Sequence, residues 1–464
     1  MGNQNNIFIK NNIKVHMVGI GGISMSGLAE ILMHKGVKIS GSDLNETEIT
    51  KRLKEMGADI YYSHQASNIT DQDLVVYTAA VSDDNPEIIE AKKRNIPAIE
   101  RAELLGAVMD QFKNCIAVSG THGKTTTTSM ISTVLLEAGL DPTIHVGGIL
   151  DLIGGNTRIG NSDYFVAEAC EYKNSFLKFR PSLAIVLNID ADHLDFFKDI
   201  DSIRNSFEKF LGNVRDPGTI ILNIDDPQTK TLTKVITRPV ITYGVNSTDA
   251  DWSCENITFK QGYAKVTILH KKSRWADLSL GVPGIHNVSN VLAAVAACHS
   301  LGVDKSAIIN GLEKYKGTHR RLEDKGTIYG IRVMDDYAHH PTEIQATLSA
   351  ARALATNRLF CVFQPHTYSR TYELIDDFSR SFAQADTVIV TDIYAAREKD
   401  TGIINSRILS DRINLNTSNS VYLSRFDDIV KFLQENATAG DLVITMGAGD
   451  VYRVGEMFLS GSDN

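Results

Sequence analysis

The stretch Ser119-Gly120-Thr121-His122-Gly123-Lys124-Thr125-Thr126-Thr127-Thr128 decides how this chain is read. It follows the apolar run Cys115-Ile116-Ala117-Val118 and precedes Ser129-Met130-Ile131-Ser132-Thr133-Val134-Leu135-Leu136, an order that predicts buried strand, glycine turn and helix. Such a turn aims backbone N–H groups and a helix N-terminus at one point, which suits a phosphate. Lys124 adds a point charge for the outer phosphates and the Thr125 hydroxyl a ligand for Mg²⁺. The full phosphate-loop pattern wants a glycine where this chain has Val118, so the loop is the short form Gly-Thr-His-Gly-Lys-Thr. A turn that only looks like a phosphate loop is the alternative; strand, glycines, lysine and threonines together argue against it.

Upstream, Lys14-Val15-His16-Met17-Val18 runs into Gly19-Ile20-Gly21-Gly22-Ile23-Ser24-Met25-Ser26-Gly27, and a second strand, Val37 to Asp43, ends on an acid. This opens a doubly wound α/β unit, in which ligands sit at the carboxyl ends of the strands. A dinucleotide fingerprint would have a third glycine where Ser24 stands, so NAD is weakly supported. Ser24 and Ser26 instead offer hydroxyls to a diphosphate, and Asp43 an acceptor to a ribose or base, unless Asp43 only caps a helix. Leu74 to Val81 reads as a further strand, and His64 reads more readily as an exposed loop histidine than as a pocket residue.

Downstream, the strand Tyr164-Phe165-Val166-Ala167-Glu168-Ala169 ends in carboxylates, where a Mg²⁺ ligand is expected after a phosphate loop. Leu183 to Ile189 leads to Asp190-Ala191-Asp192-His193. If these two strands are adjacent and parallel, Glu168 and His193 reach the sheet edge that carries Thr125. Mg²⁺ prefers oxygen, so Glu168 is the better ligand, and a strand-end histidine bonded to backbone is the alternative for His193. Asn287 and Asn290 lie three apart on the first turn of an alanine-rich helix and share one face. Beside His286 they suit a purine or ribose, although one of them could serve only as a cap.

Past residue 315, Val333-Met334-Asp335-Asp336-Tyr337-Ala338-His339-His340, Leu359 to Arg370, Val388 to Asp392 and Val443 to Asp450 each read as strand, turn and helix start. His339 and His340, taken as neighbours on a strand, face opposite ways, so one ion does not take both. The loops carry arginine and histidine, as a lid over an anionic substrate would.

The length of 464 residues implies several domains, and 43% apolar with 22% charged residues is globular composition. A formal charge of −9 argues against a nucleic-acid binder. No run is long enough to span a membrane, and Met1 to Asn6 is polar, without a signal-peptide core. Five scattered cysteines without a CxxC pair point to a reducing, cytoplasmic setting. The expected fold is α/β in three domains: an N-terminal Rossmann-like unit (1–108), a central phosphate-loop ATPase with a parallel sheet (109–315) and a C-terminal Rossmann-like unit (316–464).

Four motifs, Gly19 to Gly27, Gly120 to Thr126, Asn188 to Asp195 with His193, and His286 to Asn290, resemble the Mur ligase family, in order and over nearly the whole chain. The Met25-Ser26-Gly27 turn is similar to that of members which add L-alanine to UDP-N-acetylmuramate. The resemblance implies ATP and Mg²⁺, with two ions, as cofactors, and a monomer or homodimer in peptidoglycan precursor synthesis. It implies ATP contacts from Gly120, Thr121, His122, Gly123, Lys124, Thr125, Thr126, Asn287, Asn290, Arg321 and Asp336, with Asp336 on the ribose. It implies metal ligands Thr125, Glu168 and His193. UDP-substrate contacts fall to Gly21, Gly22, Ser24, Ser26, Asp43 and His64, and amino-acid and muramyl contacts to Tyr337, His339, His366 and Arg370. Many relatives carry a further arginine where this chain has Thr367, which shifts carboxylate binding toward Arg370. Lys209 is not assigned the metal-bridging role that a carbamylated lysine has in some sister ligases.

An amine does not attack a carboxylate anion usefully, so the implied reaction passes through an acyl phosphate made with ATP. Lys124, Glu168, His193, His339 and Arg370 are the expected catalytic set, with His339 or Glu171 as the proton acceptor. Three rivals stand beside it: an NAD-dependent oxidoreductase, a nucleotide-binding switch, and a ligase that recycles a preformed peptide. The first leaves the phosphate loop without a role, and the second leaves the arginine and histidine loops unexplained.

Overall fold

Three sheets, one wholly parallel and two mainly parallel with antiparallel edges, position everything that follows through the loops at the carboxyl ends of their strands. A computed structural model describes residues 13–461 apart from 79, 80, 83 and 397. The polar N-terminal stretch and Ala79-Ala80 of the expected strand therefore lie outside the described residues. The first sheet holds β1 (Lys14–Val18), β2 (Lys38–Ser42), β3 (Asp59–Tyr61), β4 (Leu74–Tyr77) and β5 (Ala98–Glu100), in the order β3-β2-β1-β4-β5. All its pairings are parallel. The order reverses direction between β1 and β4, which makes the glycine turn after β1 the switch point where such sheets bind ligands.

The central sheet holds β6 (Asn114–Ser119), β7 (Thr143–Leu150), β8 (Gly155–Arg158), β9 (Tyr164–Ala169), β10 (Leu183–Val186), β11 (Thr219–Asn223), β12 (Val240–Tyr243), β13 (Trp252–Lys260), β14 (Tyr263–His270) and β15 (Ser273–Pro283). Their order is β15-β14-β13-β12-β11-β10-β6-β9-β7-β8. The expected parallel sheet is its middle; β13 to β15 at one edge and β8 at the other pair antiparallel. The strands carrying Glu168 and His193 are not adjacent, as the sequence reading supposed, because β6 runs between β9 and β10. Both still deliver their ends to the edge from which the phosphate loop leaves β6.

The third sheet, β16 (Glu323–Ile328), β17 (Ile331–Asp336), β18 (Leu359–Phe363), β19 (Thr387–Val390), β20 (Ser420–Tyr422) and β21 (Leu442–Met446), is ordered β16-β17-β21-β18-β19-β20. It is parallel except for the β16–β17 hairpin.

Strands buried on both faces explain the unbroken apolar runs: every residue of β10, β18 and β21 is buried. The threonine-rich helix Lys124–Glu137 is buried as well, and Ser132 and Thr133 donate to the carbonyls of Thr128 and Ser129 within it, at 2.7 and 2.8 Å. Gly311 lets the helix Lys305–Lys314 close on it, since a Cβ there would lie 2.7 Å from Val134 Cα. Among the described residues no helix is long and apolar enough to cross a membrane.

Candidate active site

Gly120 and Gly123 take φ of +137° and +84°, values that favour glycine, and so turn the chain from β6 into the helix Lys124–Glu137. The loop is stitched to the end of β10. His122 N donates to Asn188 Oδ1 at 2.8 Å, Asn188 Nδ2 to the His122 carbonyl at 3.1 Å, and Asp190 N to Thr121 Oγ1 at 2.9 Å. The Lys124 ammonium folds back over the loop, donating to the carbonyls of Gly120 and Thr121 and to Glu171 Oε2 at 3.0 Å. Burial disfavours its charge, but Glu171 outweighs burial and raises its pKa above the ordinary lysine value.

Glu168 accepts from Gly147 N at 2.5 Å, and a Cβ on Gly147 would lie 2.9 Å from Glu168 Oε2. A Cβ on the next residue, Gly148, would lie 3.1 Å from Thr125 Cγ2. This glycine pair therefore holds the Glu168 carboxylate and the Thr125 side chain against one stretch of β7. Glu168 offers carboxylate oxygens and Thr125 a hydroxyl, both hard oxygen donors, so the chemistry of these residues fits Mg²⁺. His193 has φ +56°, stacks on Tyr172 with centroids 4.5 Å apart, and places Nε2 3.7 Å from Asp192 Oδ2 and 4.0 Å from Glu171 Oε1. Its ring is thus tied to carboxylates and an aromatic face, not to backbone.

A cavity of about 590 Å³ opens beside the loop, lined by Gly123, His286, Asn287, Asn290, Arg321 and Asp336 among others. A Cβ on Gly123 would meet Asn290 Oδ1 at 2.7 Å, so the two expected ATP elements touch. Asn290 Nδ2 donates to Asn287 Oδ1 at 3.0 Å, and Asn287 Nδ2 to the Pro283 carbonyl at 2.6 Å. Neither asparagine is the helix cap, which is Ile285. His286 Nδ1 is buried without a hydrogen-bond partner among the described residues, an orphan that a polar ligand in this cavity would satisfy. Asp336 is buried and braces loops: Leu322 N donates to Oδ2 at 2.7 Å and Ala338 N to Oδ1 at 2.8 Å. Burial pushes its pKa up to about 6.

The C-terminal residues gather around a second cavity of about 320 Å³ that includes His193, His366 and Arg370. Arg370 donates to Asp192 Oδ1 from Nε at 3.0 Å and Nη2 at 2.8 Å, and from Nη1 to His366 Nδ1 at 3.1 Å. Burial alone would raise the Asp192 pKa; Arg370, then His193, pull it far below the usual carboxylate range. His339 donates from Nδ1 to the Tyr337 carbonyl at 2.9 Å, so Nε2 carries the free lone pair. Burial lowers its pKa to about 4. His339 and His340 are loop residues beyond β17, not strand neighbours, and they do diverge: His340 Nε2 donates to the Ala191 carbonyl at 3.1 Å. Thr367 has φ +67°, the strained start of the short helix Tyr368–Glu373.

At the first sheet, Gly21 N donates to Asp43 Oδ2 at 2.9 Å and Leu44 N to Oδ1 at 2.8 Å. Asp43 thus braces the glycine turn and does not cap a helix. Ser24 is half-buried, its Oγ 2.7 Å from Arg101 Nη1 and from His145 Nε2, whereas Ser26 is buried and donates to the Ile23 carbonyl at 2.8 Å, so its hydroxyl is turned away from a ligand. His64 is not an exposed loop histidine: its half-buried ring holds Nδ1 2.9 Å from Ser42 Oγ and 3.1 Å from the buried Glu87 Oε2. Sequence reasoning missed Asn188 as a stitch, Asp190, Asp192 and Glu343 as charge partners, and Arg101, His145 and Glu87 altogether. Asn188, Asp190 and Asp192 had a signal, lying inside the quoted His193 motif, and Glu343 follows the His339-His340 pair by three residues.

A glycine loop feeding a lysine-threonine helix, with a carboxylate cradle on the neighbouring strand and a third α/β layer docked against it, defines a phosphate-loop nucleotide-using α/β protein. Comparison with known proteins gives the particular family. Residues 14–113 match the Mur ligase family catalytic domain, 118–298 the Mur ligase middle domain and 320–449 the Mur ligase glutamate ligase domain. UDP-N-acetylmuramate–L-alanine ligase of Acetivibrio thermocellus is 56% identical over 96% of this chain and 95% of its own. The enzyme of the same name from Clostridium novyi is 54% identical over 97% and 98%. Among solved structures, UDP-N-acetylmuramate-alanine ligase of Thermotoga maritima superposes with a TM-score of 0.82 at 31% identity, covering 97% of this chain and 99% of that one. A murein peptide ligase of Psychrobacter arcticus superposes at 0.74 with 27% identity, covering 97% and 98%. The chain belongs to the Mur ligase family.

Proposed function

We propose that this chain joins L-alanine to the lactyl carboxylate of UDP-N-acetylmuramate, using ATP, in cytoplasmic peptidoglycan precursor synthesis. The observation that carries this is the 56% identity, over nearly the full length of both chains, to an alanine ligase. A peptide-recycling ligase is the neighbouring reading; the solved example is less similar than the alanine ligase, at 27% against 31% identity. The glycine loop, lysine and carboxylate of the central unit suit phosphate, and a hydride-transfer reading gives them no role.

In this reading the unit 1–108 binds the uridine nucleotide, 109–315 binds ATP and 316–464 closes over both. Gly120 to Thr126 cradle the phosphates of ATP, His286, Asn287 and Asn290 meet the base or ribose, and Arg321 and Asp336 complete that pocket. Lys124 swings off the loop carbonyls onto the γ-phosphate, where its charge offsets that of the transferring phosphoryl group. The lactyl carboxylate oxygen attacks phosphorus, the bond to the β-phosphate oxygen breaks, and ADP leaves an acyl phosphate. The alanine amine then adds to the acyl carbon, Lys124 steadies the oxyanion, and inorganic phosphate departs as the amide forms.

Thr125 and Glu168 would hold one Mg²⁺ and His193 would border a second. When bound, these ions neutralise phosphate charge and polarise the reacting oxygens. Arg370 and His366 orient the carboxylate groups, with Tyr337 lining their approach. Of the two proton acceptors considered, His339 is the better placed: its Nε2 is free and neutral, whereas Glu171 is already paired with Lys124. The protein acts as a monomer or homodimer.

The test is phosphate release by purified protein with Mg-ATP and UDP-N-acetylmuramate, adding L-alanine, glycine, L-serine or a tripeptide in turn. Release should require every component and be fastest with L-alanine. Release with the tripeptide alone would move the protein to the recycling class.

A further inference from the structure

Among the described residues, one set of three His, Cys, Asp or Glu side chains stands close enough to share a metal ion. It is His122 of the phosphate loop, Asp190 just beyond β10 and His340 at the N-cap of the helix Pro341–Leu354. One ligand atom from each lies within 4.8 Å of the other two. His122 Nε2 is 3.1 Å from Asp190 Oδ2, and His340 Nδ1 is 3.8 Å from the same oxygen. Donors about 2.0–2.1 Å from a tetrahedral ion stand roughly 3.3 Å from one another, so a small inward shift closes the set. None of the three belongs to the Thr125, Glu168 and His193 group proposed for Mg²⁺.

Each ligand also has a partner on its far side. His122 Nδ1 faces Glu343 Oε1 at 3.1 Å, so a proton held there leaves Nε2 to an ion. His340 Nε2 donates to the Ala191 carbonyl at 3.1 Å, which leaves the lone pair on Nδ1. The cap bond that this nitrogen accepts from Thr342 N is long, at 3.3 Å. Asp190 accepts from Thr342 Oγ1 at 2.7 Å and from Ala191 N at 2.8 Å. A carboxylate or carbonyl behind each imidazole is what fixes ring and tautomer in metal sites. Two imidazoles and one carboxylate suit Zn²⁺ and similar borderline cations, whereas Mg²⁺ prefers oxygen throughout. Such an ion would replace the proton that otherwise bridges His122 and Asp190.

His340 is 4% exposed, while His122 and Asp190 are half-buried and border the 590 Å³ cavity, which gives an ion a way in. We propose that His122, Asp190 and His340 form a transition-metal site, separate from that for Mg²⁺, in which Zn²⁺ or a similar ion bridges the phosphate loop and the C-terminal unit. Two ligands come from the central unit and one from the C-terminal unit, so a bound ion ties the two together. It resists the opening that nucleotide exchange requires and acts as a brake. The brake, but not the site, rests on the reading of 316–464 as a closing unit.

The experiment is titration of the purified protein with Co²⁺, and with Zn²⁺ in competition, followed by visible absorption and calorimetry. Mg²⁺ is present in about thousandfold excess to fill the oxygen-rich cradle. The variants are His340→Asn, which keeps a capping side chain, Asp190→Asn and His193→Ala, and a cooperative thermal melt is the control for folding. Wild type should bind one Co²⁺ per chain with the visible bands of a four- or five-coordinate nitrogen and oxygen site, and Zn²⁺ should displace it. His340→Asn and Asp190→Asn should each weaken binding about 100-fold or more, and His193→Ala should leave it intact. Absence of Co²⁺ binding by wild type under excess Mg²⁺ overturns the proposal, as does a near-ultraviolet thiolate band. A loss seen in His193→Ala but not in His340→Asn overturns it too and moves the ion to the Mg²⁺ site. A loss in only one of the two bridging variants, both folded, shows that the ion does not bridge the units. If one of them fails to fold, the other decides. Zn²⁺ should also slow phosphate release by wild type and leave His340→Asn much less affected; equal slowing of both overturns the brake.

Discussion

Glu343 Oε1 lies 3.1 Å from Nδ1 of His122, joining the first turn of the C-terminal helix Pro341–Leu354 to the middle of the phosphate loop. On the other side of the ring, Nε2 lies 3.1 Å from Asp190 Oδ2, which also accepts from Thr342 Oγ1 at 2.7 Å. Two nitrogens facing two carboxylates call for an imidazolium. Burial works against that charge, but the Asp190 and Glu343 hydrogen bonds overcome it and push the pKa up to about 9. A pKa raised on docking gives a contribution fully present below the free histidine value near 6.5 and lost as pH rises through about 9. Small-angle scattering of the ligand-free protein should therefore show expansion as pH is raised across that window, and Glu343→Gln should expand it already at neutral pH. An unchanged radius from pH 6.5 to 9.5 in the wild type would refute the clamp.

Lys124→Ala should lower turnover about 10²–10⁴-fold if its charge serves the transferring phosphoryl group and the later oxyanion. The variant also leaves Glu171, 2% exposed, without the ammonium 3.0 Å away. Some loss of thermal stability should accompany the loss of rate. Steady-state kinetics at saturating substrates separates the two, and near-normal turnover would remove Lys124 from the catalytic set.

How much of this was legible beforehand depended on sequence distance. Lys124 and Thr125 open the helix fed by the turn after the apolar strand β6, and Glu168 ends the apolar strand β9, so strand and chemistry lie close in sequence and read as one signal. His122 and Glu343 are 221 residues apart and Arg101 and Ser24 are 77 apart, and no local pattern links either pair. The antiparallel edge β13 to β15 went unread for a different reason. Glu255, Phe259 and Tyr263 leave it half solvated, so its apolar pattern is broken, and the Gln261-Gly262 turn that joins β13 to β14 is not flanked by a chemical motif. Ser26 shows the reverse error: its hydroxyl looked available because the turn looked open, but it satisfies the Ile23 carbonyl within its own helix.

Gly147→Ala should raise the Mg²⁺ concentration needed for half-maximal activity, by about tenfold or more. The added methyl would stand 2.9 Å from Glu168 Oε2, and the carboxylate must shift to make room. A variant with an unchanged Mg²⁺ requirement would show that Glu168 is not a ligand.

Arg370 and Asp192 form an ion pair with side chains 11% and 10% exposed, across the joint between the central and C-terminal units. Removing one partner of a buried pair costs about 3–5 kcal/mol, because the other charge is left stranded. Arg370→Ala should thus lower the unfolding temperature markedly and raise KM for the amine or the muramyl substrate. The double variant Arg370→Ala with Asp192→Asn should recover part of the stability but not the KM. Additive stability losses in a double-mutant cycle would mean that the pair does not couple the units.

Glu87 is fully buried in the first unit and is the hub of its polar network. Ser42 Oγ and Asn68 Nδ2 both donate to it at 2.6 Å, His16 Nε2 lies 3.3 Å away and His64 Nδ1 3.1 Å away. Burial raises the cost of its charge, yet the hydrogen bonds from His16, Ser42 and Asn68 win and hold its pKa at about 2. A depressed carboxyl pKa stabilises the fold above the unfolded value near 4.5, and that contribution fades as pH falls toward about 2. Glu87→Ala strands several buried donors at once and should cost about 2–4 kcal/mol. Because the network ends on His64 and Ser42 beside the glycine turn, UDP affinity should fall with it while ATP affinity, set on the central sheet, holds. Hydrogen exchange of β1 and β2 reads the local stability directly. Unchanged protection there, with UDP affinity also unchanged, would leave Glu87 as a bystander in a site it merely borders.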